Sequence, residues 1–111
     1  MRTRITWIAL CLVVSGCAGQ AAQSIDYSNE ERYAFSYCLA EAYPGSEVAG
    51  DARYIAGVYL EKGEAGIDAY DRIRAFVDEY RKEPYASKYD RNLSIMQCLD
   101  LVGSQELARV L

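Results

Sequence analysis

Apolar residues recur at a helical spacing in successive segments of this chain, and no segment shows the clean alternation typical of a strand. The spacing i, i+3, i+4, i+7 places side chains on one face of a helix. Three segments carry it or a close variant: Ala52, Ile55, Ala56 and Tyr59; Tyr70, Ile73, Val77 and Tyr80; and Ile95, Cys98, Leu99 and Val102. We therefore predict an all-α fold, a small bundle of four to five helices.

Capping and stop residues give the bounds of these helices. Ser-Asn-Glu-Glu at 28–31 matches a capping box and predicts a first helix over 28–43 that Pro44-Gly45 ends. A second helix is predicted over 47–62, where Gly63 stops it, and a third over 67–82, before Pro84. A fourth helix is predicted to begin with Asn92 as its cap, and a last short helix follows a break at Gly103-Ser104. Gly57, inside the second helix, predicts a close contact between helices.

The N-terminal segment has the pattern of an export signal. Arg2 and Arg4 precede an apolar run over 5–14, which is about half of the roughly twenty residues that a membrane-spanning helix needs. The sequence Val-Ser-Gly-Cys at 14–17 resembles the bacterial lipobox, so we predict a lipoprotein-type signal over 1–16 and a lipid on Cys17. The alternative is a plain secretory signal cut after Ala18, Ala21 or Ala22. Both predict an exported protein.

The segment after the signal divides into a tether and one domain. Residues 17–26 are small and polar without apolar period, which predicts a short tether behind lipidated Cys17, and residues 27–111 form the single helical domain. The residue after Cys17 is alanine, and an acidic residue there would indicate retention at the inner membrane by the lipoprotein sorting rule. We therefore expect anchoring at the periplasmic face of the outer membrane.

Four cysteines are present, and two of them fall in or beside the signal, at Cys11 and Cys17. The remaining pair, Cys38 and Cys98, would meet an oxidising compartment after export, which favours one disulfide. Two buried free thiols are the alternative. A disulfide here would close a long loop and stabilise the fold by about 4 kcal/mol in the chain-entropy model.

Composition excludes several classes of function. The chain has no histidine, which removes the usual general base of Ser and Cys hydrolases and the commonest zinc ligand. No metal-binding or phosphate-binding motif is present, so we expect neither a metal nor another cofactor. Removal of residues 1–16 takes away two arginines and no acid, which changes the formal charge from −4 to −6 and argues against nucleic acid as a partner. Paired acids such as Glu30-Glu31 are typical of a solvated helix face.

Tyrosine is unusually frequent, and all ten tyrosines follow the signal. Five of them have the helical spacing of core residues: Tyr33, Tyr37, Tyr59, Tyr70 and Tyr80. Tyr85 and Tyr89, in contrast, lie in the predicted loop over 83–91 beside charged residues. Tyrosine is a favoured interface residue because it gives a large contact area and keeps a polar tip. The two side chains therefore either form an interface or cover the end of the bundle.

Four short segments resemble the amidase immunity proteins of type VI secretion systems, in particular the fourth class. They are Tyr-Cys-Leu-Ala-Glu-Ala-Tyr at 37–43, Tyr-Leu-Glu-Lys-Gly at 59–63, Cys-Leu-Asp-Leu at 98–101 and Ser-Gln-Glu-Leu at 104–107. The resemblance extends over residues 26–111. It implies a small periplasmic helical protein, often a homodimer, that binds a papain-like cell-wall amidase and occludes its active site. Members of this family usually carry a plain secretory signal, so the lipobox is a departure.

For such an inhibitor we expect no catalytic residues and no enzymatic activity. The predicted contacts with the amidase lie in the loop over 83–91 and are Tyr85, Ser87, Lys88, Tyr89 and Asp90. The loop over 63–66 is the alternative contact region. The main alternative is an envelope lipoprotein that acts as an adaptor or scaffold between other proteins. An enzyme of unrecognised type is the second alternative, and the missing histidine disfavours it.

Overall fold

The computed structural model describes residues 26–111, and they form helices joined by loops without any strand. The five helices are α1 Asn29–Ala42, α2 Glu47–Lys62, α3 Ile67–Tyr80, α4 Ser94–Val102 and α5 Gln105–Val110. The prediction of an all-α bundle with four to five helices is confirmed. The signal over 1–16, Cys17 and all of the tether except Asp26 lie outside the described residues. No helix within 26–111 has the length and apolar character needed to cross a membrane.

The capping box at the start of α1 is present. Ser28 Oγ accepts a hydrogen bond from the backbone N–H of Glu31 at 3.1 Å, and the Ser28 N–H donates to Glu31 Oε1 at 3.2 Å. Gly45 follows the helix with φ of 76°, a conformation that glycine adopts without steric cost. The chain therefore reverses after α1 at the predicted Pro-Gly pair.

Helix α1 is the centre of the bundle, because α2, α3 and α4 all pack against it, while α5 packs against α3 and α4. Tyr33 and Tyr70 meet in the core with ring centroids 4.9 Å apart and planes 82° apart, an edge-to-face contact that aromatic rings favour. The largest fully buried side chains are Tyr70, Ile73, Leu101, Leu107, Val77, Cys38 and Cys98.

A disulfide joins the central helix to α4. Cys38 and Cys98 are bonded at an S–S distance of 2.11 Å, and both are completely buried. The predicted disulfide is confirmed, and the alternative of two free thiols is wrong. The bond links positions that are 60 residues apart in the chain. It joins α4 covalently to α1, the helix on which the rest of the bundle packs.

Gly57, inside α2, and Gly63, directly after it, have opposite surroundings. A Cβ on Gly63, the residue that ends α2, would lie 1.6 Å from the Tyr70 hydroxyl oxygen, so the core tyrosine occupies the space of the missing side chain. A Cβ on Gly57 would meet no atom within 4 Å. The predicted close helix contact at Gly57 is therefore wrong, and the close approach occurs at the helix end instead.

The third and fourth helices differ from their predicted bounds. Helix α3 ends at Tyr80, two residues before the predicted end at Lys82. Helix α4 begins at Ser94 with Leu93 as its cap residue, and Asn92 Oδ1 accepts a hydrogen bond from the Ser94 N–H at 2.8 Å. Asn92 thus accepts a hydrogen bond from the first turn of α4, but it lies one residue before the cap position and does not occupy it as predicted.

One predicted core stripe is only half buried. Cys98 and Val102 of α4 are buried, but Ile95 and Leu99 are 55% and 57% exposed. Ile55 of α2 is also exposed. The apolar stripes of α2 and α4 are wider than the surface that α1 covers, and this excess remains on the outside of the described domain.

Candidate interaction site

The α3–α4 loop, residues 81–93, contains the contacts predicted from the sequence. Among the described residues, positions 83–92 make no backbone-to-backbone hydrogen bond. Backbone groups of a loop without such bonds must be satisfied by side chains or by water. The shape of this loop therefore depends on the side chains that reach it.

Gln97 of α4 holds the first part of the loop. Its side chain is 4% exposed, and its Nε2 donates hydrogen bonds to the carbonyl oxygens of Tyr80 at 3.1 Å and Glu83 at 2.9 Å. These two carbonyls lie on either side of the turn by which the chain leaves α3. One buried amide thus fixes the direction in which the loop starts.

Tyr85 is half-buried and its hydroxyl is fully engaged. The hydroxyl donates to Asp100 Oδ2 at 2.9 Å and lies 3.1 Å from the Tyr80 hydroxyl, which therefore acts as donor to it. The hydrogen bonds with Tyr80 and Asp100 raise the pKa of Tyr85 above its ordinary value. The structure places this residue as an attachment of the loop to α3 and α4.

The tip of the loop is a turn built around Ser87. Ser87 Oγ accepts hydrogen bonds from the N–H groups of Tyr89 at 3.2 Å and Arg91 at 3.3 Å. Asp90 has φ of 52°, a left-handed conformation that aspartate tolerates better than most residues. Tyr89 is 81% exposed at this tip, and its neighbours Lys88 and Asp90 are exposed as well.

The five predicted contact residues thus divide into two groups. Tyr85 attaches the loop to α3 and α4 and Ser87 forms the turn at its tip, whereas Lys88, Tyr89 and Asp90 are exposed. The reserve loop over 63–66 is short and begins at Gly63, which packs on Tyr70. Sequence reasoning missed Gln97 and Asp100, and the signal that could have found them is a polar residue at i and i+3 on a short, otherwise apolar helix.

A second feature is an apolar groove between α1, α2 and α4, with a volume of about 420 Å³. It is lined by the half-buried side chains of Phe35 and Leu39 and by the exposed side chains of Val48, Ile55 and Leu99. Two of the excess apolar residues of α2 and α4, Ile55 and Leu99, lie here. Its rim carries both acidic and basic groups, Glu31, Arg32 and Asp51.

The opposite face of α1 has a shallower and more polar hollow of about 280 Å³. There the Tyr37 hydroxyl donates to Asp78 Oδ1 at 3.0 Å, and Arg74 donates to the Tyr33 hydroxyl at 3.1 Å. Burial, followed by the hydrogen bond to Asp78, raises the pKa of Tyr37 to about 12. These bonds join α1 to α3 across the hollow.

Chemically, the described surface offers groups suited to binding. Cys38 and Cys98 are bonded to each other, so neither is a thiol nucleophile. Within residues 26–111, no three His, Cys, Asp or Glu side chains come together in a way that could hold a metal ion. The loop tip presents the exposed ring of Tyr89, and tyrosine is enriched in protein interfaces and in their strongest contacts.

Comparisons with known proteins agree with this description. The sequence profile of the Tai4 family, described as type VI secretion system (T6SS), amidase immunity protein, matches residues 28–111. The fold is similar to that of a solved structure of the effector–immunity system Tae4/Tai4 from Salmonella typhimurium, in a selenomethionine variant. That match has 29% identity and a TM-score of 0.68, and it covers 74% of this chain and 81% of that chain. A comparison with curated protein sequences gave no match.

The family match spans all five helices, the disulfide and the α3–α4 loop, and it agrees with the resemblance seen in the sequence motifs. It supports an immunity role in preference to that of an envelope adaptor. This chain belongs to the Tai4 family of type VI secretion system amidase immunity proteins.

Proposed function

We propose that the protein is exported to the periplasm, binds a peptidoglycan amidase effector of a type VI secretion system, and occludes its active site. The amidase would be a papain-like cysteine peptidase, as the sequence resemblance implies. Binding protects the producing cell from an effector delivered by its neighbours or sister cells. The observation that carries the proposal is the family match over 28–111, and the solved structure to which this fold is similar is an effector–immunity system.

The α3–α4 loop is the surface proposed to enter the amidase groove. A groove inhibitor needs a protruding element that keeps its shape, because ordering a loop on binding costs affinity. Here the tip residues Lys88, Tyr89 and Asp90 are exposed, while side chains of α3 and α4 hold the base of the loop. An aromatic side chain in a desolvated pocket is the kind of contact that dominates protein interfaces.

Charge contributes to the rate of association. After removal of the signal the chain has a formal charge of −6. An enzyme that works on the anionic cell wall gains from a basic or neutral face, and an acidic inhibitor is attracted to such a face at a distance. We therefore expect the association rate constant to fall as salt concentration rises.

The experiment that tests the function is survival. The amidase encoded beside this protein is directed to the periplasm of a host with and without the full-length chain, and viable cells are counted. Rescue by the exported chain, without rescue by a version lacking residues 1–16, supports both immunity and the periplasmic site of action. Failure of an exported, folded chain to rescue contradicts the pairing and favours the adaptor alternative.

We also propose that Cys17 is lipidated and holds the protein at the inner face of the outer membrane. The support is the Val-Ser-Gly-Cys sequence at 14–17. Two or more acyl chains on one cysteine give stable membrane anchoring. Incorporation of labelled palmitate into the wild-type chain but not into Cys17→Ser tests this, and a soluble, unlabelled wild-type chain contradicts it.

A homodimer is the last part of the proposal. The exposed apolar residues around the groove, with Ile55 and Leu99 at its sides, are candidates for the contact between two copies. Replacement Leu99→Lys places a charge on that surface without touching the buried disulfide. We expect light scattering to show a dimer for the wild type and a monomer for this variant, and a monomeric wild type contradicts the proposal.

A further inference from the structure

One flank of α4 fixes the first part of the α3–α4 loop. Gln97 and Asp100 are three residues apart, which puts them on the same side of the helix. Gln97 donates to the carbonyl oxygens of Tyr80 and Glu83, and Asp100 accepts from the Tyr85 hydroxyl at 2.9 Å. Together they attach the segment 80–85 at three points.

The loop has few other sources of order. Its residues 83–92 form no backbone-to-backbone hydrogen bond among the described residues, and the Ser87 turn bonds only within the tip. Without the contacts from α4, the tip would keep its local turn but lose its position relative to the bundle. The direction in which Tyr89 points therefore depends on side chains of another helix.

The part of α4 that makes these contacts is itself firmly held in the bundle. Cys98, next to Gln97, is bonded to Cys38 on the central helix, and Leu101, next to Asp100, is completely buried. Gln97 is 4% exposed, so a protein bound at the loop tip has little access to it. A contribution of Gln97 to binding must accordingly act through the loop.

We propose that Gln97 and Asp100 are positioning residues, which hold the α3–α4 loop in the conformation that the amidase binds and thereby set the affinity of inhibition. The proposal rests on the function proposed above. It adds that part of the affinity comes from residues that do not touch the amidase, since a loop that is already ordered loses less conformational entropy on binding.

The first arm of the test is the mobility of the loop in the isolated protein, measured by NMR as backbone amide order parameters. The variants are Gln97→Met, which keeps the size but removes the donors, and Asp100→Ala, with Asp100→Asn as the matched control because it keeps an acceptor oxygen for Tyr85. We expect lower order parameters over 81–93 in Gln97→Met and Asp100→Ala, wild-type values in Asp100→Asn, and no change in α1, α2 and α3. Unchanged loop order parameters in the first two variants overturn the proposal.

The second arm is the dissociation constant for the catalytically inactive amidase. We expect Gln97→Met and Asp100→Ala each to weaken binding about tenfold, the equivalent of roughly one net hydrogen bond to the loop, and Asp100→Asn to bind as the wild type does. A more mobile loop with unchanged affinity overturns the proposal. Because Asp100 is exposed, Asp100→Ala keeps the test valid if Gln97→Met fails to fold.

A double-mutant cycle separates positioning from direct contact. If Asp100 acts through Tyr85, then Asp100→Ala has no further effect on affinity in the Tyr85→Phe background. An undiminished effect in that background shows that Asp100 touches the amidase itself and overturns its role as a positioning residue. A wild-type chain that binds no amidase contradicts the proposed function, whereas a wild type that binds and variants that bind equally well contradict only the positioning role.

Discussion

The core around Tyr33 and Tyr70 and the α3–α4 loop with Tyr85 and Tyr89 use the same residue type under different physical control. In the core, both rings are buried edge to face and a disulfide lies in the same hydrophobic cluster. In the loop, Tyr85 is held by its hydroxyl and Tyr89 is free in solvent.

This difference indicates that separate parts of this small domain provide its stability and its recognition surface. Burial and a covalent bond hold the core, so changes there should alter the free energy of unfolding. A few side-chain hydrogen bonds hold the loop, so changes there should alter binding with little effect on folding. The following predictions test that separation.

Removal of the disulfide should have the largest effect. The variant Cys38→Ser/Cys98→Ser is expected to lose about 4 kcal/mol of unfolding free energy, because the unfolded chain is no longer closed into a loop. Urea denaturation measures it, and a reducing agent should destabilise the wild type but not the variant. A loss below about 1 kcal/mol would show that packing alone holds α4 on α1.

Gly57 inside α2 and Gly63 directly after it give a matched pair that tests packing against the core. Gly63→Ala should destabilise the fold by about 2 kcal/mol, since the added methyl group meets the buried Tyr70 hydroxyl. Gly57→Ala should be neutral or stabilise by up to about 1 kcal/mol, because its Cβ has open space in a helix. Equal effects of the two changes on the urea midpoint would contradict this account of the core.

Tyr89 and Tyr54 give a matched pair for the surface. They are 81% and 77% exposed, but Tyr54 lies on α2 away from the loop. We expect Tyr89→Ala to weaken amidase binding more than about tenfold, as loss of an interface anchor does, and Tyr54→Ala to leave it unchanged. Both should unfold within about 0.5 kcal/mol of the wild type. Calorimetric titration compares them, and equal affinities would remove the loop tip from the interface.

The smallest expected effect is a pH dependence at Tyr37. Its pKa is about 12 in the folded protein and 10.0 as the ordinary value, so the folded state keeps a proton that the unfolded state loses. Stability from this group is therefore complete below pH 10 and is lost as the pH rises towards 12. Between pH 9 and 11, Tyr37→Phe should lose less stability than the wild type. Parallel losses would mean that the hydrogen bond to Asp78 does not hold the proton.

Several features followed from the sequence with little ambiguity. The capping box at Ser28 and Glu31, the Pro-Gly pair after α1 and the apolar spacing of α3 are local patterns, and local patterns determine where helices begin and which face is apolar. The disulfide followed from counting, because Cys38 and Cys98 are the two cysteines left after the signal and Cys17.

Other features depended on packing. The periodicity of α4 treats Ile95, Cys98 and Leu99 alike, but α1 covers only Cys98. Likewise Gly57 lies inside α2 and Gly63 directly after it, and only the position of Tyr70 makes a side chain at Gly63 unfavourable. A sequence pattern gives the direction of a side chain on its own helix and carries no information about which neighbour is there.

The sequence by itself therefore determined the class of fold, the helices, the disulfide and the family resemblance, since each depends on residues close in the chain or on residue type. The tertiary structure alone decided which part of the predicted loop is held and which part is presented. Tyr85 is an attachment and Tyr89 a tip because Asp100, fifteen residues further along the chain, is brought beside one hydroxyl and not the other. That contact exists only after α4 is packed on α1, and no local pattern encodes it.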